Sequence, residues 1–268
     1  MTQILLGQSY YLRFDPKLWE AMQPYPPLGT MYAASWLRQH GYEVALFDAM
    51  LAESEEEWAK ALDEHKPQYA IIYEDNFNYL SKMCLLRMRE AAFTMIAMAK
   101  SRGCMVILCG ADATDHYAEY LEHGADYCLL GEGEETLIEL LNQLSAGKEA
   151  VQVIGLASRN TLRPSRRPDM TDLDKLPFPA WDLIDVKKYH TAPSKKLSNS
   201  TSTMNIMTSR GCAFDCIHCI SKTTWQRKMR FRSAKNVADE MEYCVKTFGV
   251  KEFNFMDDLF GINEKRVI

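Results

Sequence analysis

Along the first 145 residues, short apolar runs alternate with stretches of helical period. The runs at 4–6, 44–47, 69–73, 105–109 and 127–130 are rich in Leu, Ile, Val and Tyr and read as strands. Between them, 28–40, 55–65, 82–101, 117–123 and 134–144 carry apolar residues at helical spacing. Trp58, Ala61 and Leu62 share one face of the second helix, while Gly41 and Gly103 stop the first and third. Strands alternating with helices predict a doubly wound α/β fold, a parallel sheet covered on both faces. Ligands of such sheets bind in the crevice beyond the carboxyl ends of the strands.

Those ends carry a distinctive set of residues. Residues 7–11, Gly7-Gln8-Ser9-Tyr10-Tyr11, follow the first strand, Glu74-Asp75-Asn76 the third, Gly110-Ala111-Asp112-Ala113-Thr114 the fourth and Gly131-Glu132-Gly133-Glu134 the fifth. One glycine turn is what any strand-to-helix connection needs; several on one edge point to a ligand edge. The dinucleotide fingerprint G-x-G-x-x-G does not follow the first strand.

Residues 151–200 change character. A strand at the sheet edge is predicted over 151–157. The stretch 159–196 is rich in Pro, Arg, Lys and Asp, and its prolines forbid a continuous helix. It reads as a connector laid over a neighbour through Phe178 and Trp181. A second unit follows: a strand at 203–208, a polar loop, a helix at 234–248 and a strand at 251–256. Ser233 is placed to cap the helix, Val237, Met241, Cys244 and Phe248 form its apolar stripe, and Gly249 ends it. The chain thus divides into a first domain over 1–150, a connector over 151–200 and a second unit over 201–268.

Charge and composition narrow the function. The net charge of −5 argues against a chain built to coat nucleic acid. No apolar run approaches the roughly 20 residues of a membrane helix. The start, MTQILLGQ, lacks the basic opening and long apolar core of a signal peptide. A cytoplasmic protein without nucleic-acid or membrane partners is expected. Lys222, Arg227, Lys228, Arg230 and Arg232 read as a solvated basic face rather than an anion site.

Of eight cysteines, Cys84, Cys104, Cys109, Cys128 and Cys244 sit in apolar or helical runs and read as buried small hydrophobes. Cys212, Cys216 and Cys219 instead crowd a polar loop, Ser209-Arg210-Gly211-Cys212-Ala213-Phe214-Asp215-Cys216-Ile217-His218-Cys219. Thiolates are the usual ligands of iron–sulfur clusters, and three of them leave one iron of a four-iron cluster open for chemistry. Structural zinc would need a fourth ligand, and His218 is cramped between two of the three cysteines.

The C-x3-C-x2-C loop after a strand resembles the signature of radical S-adenosylmethionine enzymes. Further stretches are similar to the subgroup that carries an N-terminal cobalamin-binding domain. These are Pro26-Pro27-Leu28-Gly29, Gly41-Tyr42-Glu43-Val44, the turn at Gly110, Gly131-Glu132-Gly133-Glu134, the connector Leu176-Pro177-Phe178-Pro179-Ala180-Trp181-Asp182, Arg230-Phe231-Arg232-Ser233 before a helix with Asp239-Glu240, and Phe255-Met256-Asp257-Asp258-Leu259-Phe260. The likeness covers essentially the whole chain. It implies a Rossmann-like, cobalamin-binding-type domain followed by the start of a partial TIM barrel.

The resemblance also implies cofactors and sites. A [4Fe-4S] cluster sits on Cys212, Cys216 and Cys219, and S-adenosylmethionine binds its open iron, with His218 along the adenine and Asp257 and Asp258 on the same side. Cobalamin lies on the edge formed by Gly29, Asp75, Gly110, Thr114, Gly131 and Gly133. An electron donor such as flavodoxin or ferredoxin would serve radical-based methyl transfer, cyclisation or rearrangement of a substrate the sequence does not identify.

The chain departs from its relatives' pattern in three ways. Gly110-Ala111 stands where many members have Gly-Gly. The Asp-x-His-x-x-Gly motif that places a histidine under cobalt is absent; Asp63-Glu64-His65 imitates its start, without the glycine and within a helix. A barrel of six β/α units needs roughly 200 residues, whereas 203–268 holds 66. The chain therefore reads as the front part of such an enzyme. A non-catalytic cofactor-binding fragment and a radical enzyme without cobalamin are the alternatives.

Overall fold

The computed structural model describes residues 3–21, 24–74, 85–148, 150, 152–161, 164–191, 203–217, 219, 221 and 225–264. Five parallel strands form the heart of a six-stranded sheet: β1 (Ile4–Gly7), β2 (Val44–Leu46), β3 (Tyr69–Tyr73), β4 (Met105–Cys109) and β5 (Tyr127–Leu129). Their spatial order is β2-β1-β3-β4-β5. The order reverses between β1 and β3, which makes the carboxyl ends of those two strands the switch-point crevice. The sixth strand, β6 (Leu156–Ala157), pairs antiparallel with β5 at the edge and is much shorter than the predicted 151–157.

Successive side chains of a strand point to opposite faces, and the two faces are filled separately. Leu5, Ala70, Ile72, Val106 and Leu108 pack with Trp58 and Leu62 of α3 (Glu56–His65) and with Ala92, Met95 and Ile96 of α4 (Leu85–Ser101). Ile4, Leu6, Ile71, Ile107 and Leu129 pack with Ala33 and Leu37 of α2 (Leu28–Gln39) and with Leu137 and Leu141 of α7 (Glu134–Ser145). Burial on both faces explains why the strands read as continuous apolar runs.

Short helices were not legible in the pattern, two of them in the first domain. One is α1 (Pro16–Ala21); the other, α5 (Ala111–Asp115), starts directly at Gly110 and precedes α6 (Tyr117–Glu122). The connector packs as expected. Trp181 is 1% exposed in a third core with Leu28, Met31 and Tyr32 of α2, Leu173 and Leu176. Ser35 Oγ donates to Phe178 O (2.6 Å) and Ala180 N to Met31 O (3.2 Å). The connector also carries α8 (Val186–Thr191).

The same third core takes in Met204, Met207, Cys244 and Val250 of the second unit. There, β7 (Thr203–Ile206), α9 (Ala234–Phe248) and β10 (Glu252–Phe255) form a parallel β-α-β unit. Ser233 Oγ accepts from Asn236 N (3.1 Å) and Gly249 ends the helix in the left-handed region, as predicted. Phe253 reaches the third core, while Phe255 is 41% exposed and stacks on Phe260 at 4.6 Å. A cleft of about 400 Å³ opens between α9 and residues 259–263. Among the described residues, no helix is long and apolar enough to cross a membrane.

One carboxyl ties the connector to the sheet. Asp48, just beyond β2, accepts from Tyr189 Oη of α8 and from Met50 N. Burial raises its pKa to about 6 against the opposing pull of these donors. A raised carboxyl binds its proton more tightly folded than unfolded. The stability it contributes is present below the ordinary carboxylate range and lost as pH rises through about 6. The thermal midpoint of the wild type should therefore fall between about pH 4 and 6 more steeply than that of Asp48→Asn, measured by circular dichroism.

Candidate cofactor edge and cysteine loop

The switch-point crevice is lined by the residues that follow β1 and β3. Ser9 donates from its backbone N (3.1 Å) and from Oγ (2.6 Å) to Glu74 Oε1, bridging the two strand ends. Gln8 and Tyr11 are 2% and 1% exposed, and among the described residues neither Gln8 Nε2 nor Tyr11 Oη has a hydrogen-bond partner. Burial, with Glu55 and Glu74 nearby, raises the Tyr11 phenol and keeps it protonated. Two buried donors without an acceptor among the described residues are what a polar ligand group at this crevice would satisfy. Asp75 lies outside the described residues.

The neighbouring turns are held tightly by the chain itself. Gly110 has φ +154°, and a Cβ there would stand 2.7 Å from Glu74 Cβ, so glycine lets β3 and β4 end side by side. Thr114 Oγ1 donates to Gly110 O (2.8 Å) and accepts from Gly131 N (2.9 Å), locking the turns after β4 and β5 together. The space beside Gly131 is taken by Arg166, and that beside Gly133 by Cys109 and Tyr73. Gly29 is buried in the first turn of α2, where Thr30 Oγ1 donates to Tyr73 O (2.6 Å). Three of the predicted glycines thus admit the protein's own side chains.

The cysteine loop leaves the second unit between two anchors. A two-residue strand, β8 (Ser209–Arg210), pairs antiparallel with β9 (Arg230–Phe231) and closes the base of the loop. The strand predicted over 203–208 ends at Ile206, before this ribbon begins. Gly211 has φ +97°, and a Cβ on it would collide with Lys228 O; Trp225, 4% exposed, packs beside it. Asp257 accepts from Thr208 N (2.7 Å), Ser209 N (2.9 Å) and Thr208 Oγ1. Asp258 accepts from Ser221 Oγ (2.7 Å), two residues past Cys219. The two aspartates predicted to face S-adenosylmethionine therefore hold the two ends of the cysteine loop.

Within the loop, Cys216 is exposed, Cys212 and Cys219 are half-buried, and all three are free thiols. Cys219 N donates to Cys216 O (3.1 Å). His218 lies outside the described residues. Among the described residues, no three metal-ligating side chains converge closely enough to hold an ion. The other described cysteines are buried as predicted, and burial raises the thiols of Cys104 and Cys109 and pushes those of Cys128 and Cys244 up to about 12. Cys84 lies outside the described residues.

Loop and edge meet in a buried charge network that the pattern of the chain did not reveal. Arg210, two residues before Cys212, sends Nη1 to Glu132 Oε1 (3.1 Å) and Nη2 to Glu134 Oε1 (2.7 Å). Arg230 Nη1 donates to both oxygens of Glu132 (2.7 and 2.8 Å) and to Met170 O (2.8 Å). Arg166 Nη2 donates to Asp169 (2.8 Å), 4.0 Å from Arg230. Burial alone would raise the Glu132 carboxyl, but the Arg210 and Arg230 guanidiniums hold it below its ordinary value. A second buried set joins α9 to α2: Arg232 pairs with Glu240, and its Nη1 also donates to Tyr32 Oη (2.9 Å). The expectation of a solvated basic face is thus corrected. Arg230 and Arg232 are 8% and 1% exposed, because Glu132, far off in sequence, and Glu240, in the following helix, draw them inward. Arg227 stays outside, paired with Asp215.

Removing one member of a buried pair strands its partner's charge. Arg210→Met should lower the unfolding free energy by about 3–5 kcal/mol in urea titrations. Adding Glu134→Leu should recover part of that loss, since an apolar pair replaces a buried ionic one at little net cost.

Comparison with known proteins shows what these features are similar to. Residues 19–141 match the model of the B12 binding domain. An uncharacterized methyltransferase of Pyrococcus horikoshii is 28% identical over 253 residues, which take in 91% of this chain and 51% of the relative. The chain thus spans about half of that relative's length. Among solved structures, the cobalamin-dependent S-adenosylmethionine radical enzyme OxsB, with aqua-cobalamin and S-adenosylmethionine bound, matches 97% of this chain and 34% of its own at a TM-score of 0.73 and 16% identity. The radical S-adenosylmethionine methyltransferase TsrM from Kitasatospora setae, with cobalamin and a [4Fe-4S] cluster bound, matches 99% of this chain and 49% of its own at a TM-score of 0.72 and 19% identity. The chain thus matches the B12 binding domain over residues 19–141 and shares the fold of these solved structures over nearly its whole length.

Proposed function

We propose that this chain holds a [4Fe-4S] cluster, S-adenosylmethionine and cobalamin for radical-based methyl transfer to a substrate not yet identified. The observation that carries the reading is the joining of a three-thiol loop, through buried ion pairs, to the edge of the B12 binding domain. When bound, these groups supply an electron, a radical source and a methyl carrier, chemistry the protein itself lacks.

The residues present fit such a role. Cys212, Cys216 and Cys219 are free, and Asp257, Asp258 and Gly211 fix the ends of their loop. In this reading the three thiols hold the cluster, and His218 is assigned to the adenine. Gln8 and Tyr11 bring donors without a partner among the described residues to the switch-point crevice, and Gly29, Gly110, Thr114, Gly131 and Gly133 belong to the same proposed edge. His65 ends α3 four residues before β3 begins, at the opposite end of the sheet, and takes no part. A cytoplasmic setting and a small electron carrier such as flavodoxin or ferredoxin belong to the same reading.

Anaerobic reconstitution with iron and sulfide should load about four irons per chain and give the broad visible absorption of a thiolate-bound cluster. Cys216→Ala should abolish that absorption, and survival of iron binding after loss of all three cysteines would sink the reading. In a separate titration, hydroxocobalamin should bind the chain, and its cobalt spectrum should be unchanged by His65→Ala. Absence of binding would reduce the first domain to a scaffold.

A further inference from the structure

We propose that the buried network of Arg210, Glu132 and Glu134 couples the cysteine loop to the sheet edge, so that filling either place strengthens binding at the other. The inference rests on the reading of those two places as cluster and cobalamin sites.

Both ends of the network are stiffly mounted. Arg210 lies on the β8–β9 ribbon, and only Gly211, pressed against Lys228 O, separates it from Cys212. Glu132 and Glu134 flank Gly133, whose backbone rests on Cys109 at the end of β4 and Tyr73 at the end of β3. Gly131 in the same turn is locked to Gly110 through Thr114. One turn therefore touches the ends of β3, β4 and β5, and a displacement at any of them reaches the two carboxylates. From there the guanidinium of Arg210 carries it to the residue before the cysteine hinge.

The chemistry chosen for this joint is informative. Three arginines (166, 210 and 230) face three carboxylates (132, 134 and 169), all with side chains no more than 15% exposed. Desolvating six charges is a costly way to glue two units, since apolar side chains of similar volume commonly do as well or better. What the ionic joint adds is direction. A guanidinium fork binding two carboxylates fixes distance and angle together, whereas an apolar contact lets surfaces slide. A joint of fixed geometry between two ligand sites is the physical requirement for a coupling free energy, and such coupling is reciprocal.

The test is a binding comparison on the whole chain. Hydroxocobalamin would be titrated by visible absorption into the protein before and after cluster reconstitution, in the wild type, Arg210→Lys, Glu134→Gln and a control, Glu139→Gln. Cluster loading should tighten cobalamin binding about tenfold in the wild type and the control. The ratio should fall close to one in Arg210→Lys and Glu134→Gln, which keep most of the packing. As a second readout, cobalamin should alter the electron paramagnetic resonance spectrum of the reduced wild-type cluster but not that of either variant. Variants that unfold more easily yet keep the tenfold ratio would overturn the proposal by showing a structural role alone. A wild type that binds both groups with a ratio of one would overturn it while leaving the two sites standing. Failure to bind either group would remove the site reading and the coupling with it.

Discussion

Everything at the junction of this molecule follows from six charges being taken out of water together. Arg166, Arg210 and Arg230 leave solvent only because Glu132, Glu134 and Asp169 leave with them. An unpaired charge in that place would cost several kcal/mol. The balance dictates where the second unit sits. The β8–β9 ribbon must lie against the turn after β5, the connector must pass by Met170, and the cysteine loop must emerge beside the carboxyl edge of the sheet.

The apolar packing around that joint is less selective. One helix, α2, serves two cores. Ala33 and Leu37 face the sheet, while Leu28, Met31 and Tyr32 face the connector and the second unit. A helix buried on several sides fixes how close the two units lie, but methionine-rich contacts such as Met31, Met170, Met204 and Met207 adapt easily to shifts. Tyr32, Arg232 and Glu240 add a polar anchor on the same side. The apolar core sets proximity and the ion pairs set orientation.

Much of this was readable from residue order. Strands buried on both faces leave continuous apolar runs, so β1 through β5 were found within a residue or two. Ser233 and Gly249 announced α9 because their capping chemistry is local. The cysteine spacing was likewise local. What escaped notice depends on distant partners. Arg230 and Arg232 look like a solvated basic run until Glu132 and Glu240 are placed against them in space. The acidic residues after Gly131 looked like a glycine turn and proved to be half of an ionic joint. Asp257 and Asp258 were expected to face S-adenosylmethionine, and their hydrogen bonds to Thr208, Ser209 and Ser221 could not be inferred from a strand ending. The helix at Ala111–Asp115 is too short for any periodicity to show.

The sorting of sulfur by depth has its own consequence. Of the seven described cysteines, four are sealed in the interior, with thiols that burial keeps protonated and unreactive. The remaining three share one eight-residue stretch at the surface. Oxygen, peroxide and alkylating reagents thus meet this protein mainly at a single loop, and oxidative damage among these residues is confined to where the iron would be held. A cluster seated there would use these same sulfurs, so metal loading and thiol oxidation compete for one set of atoms.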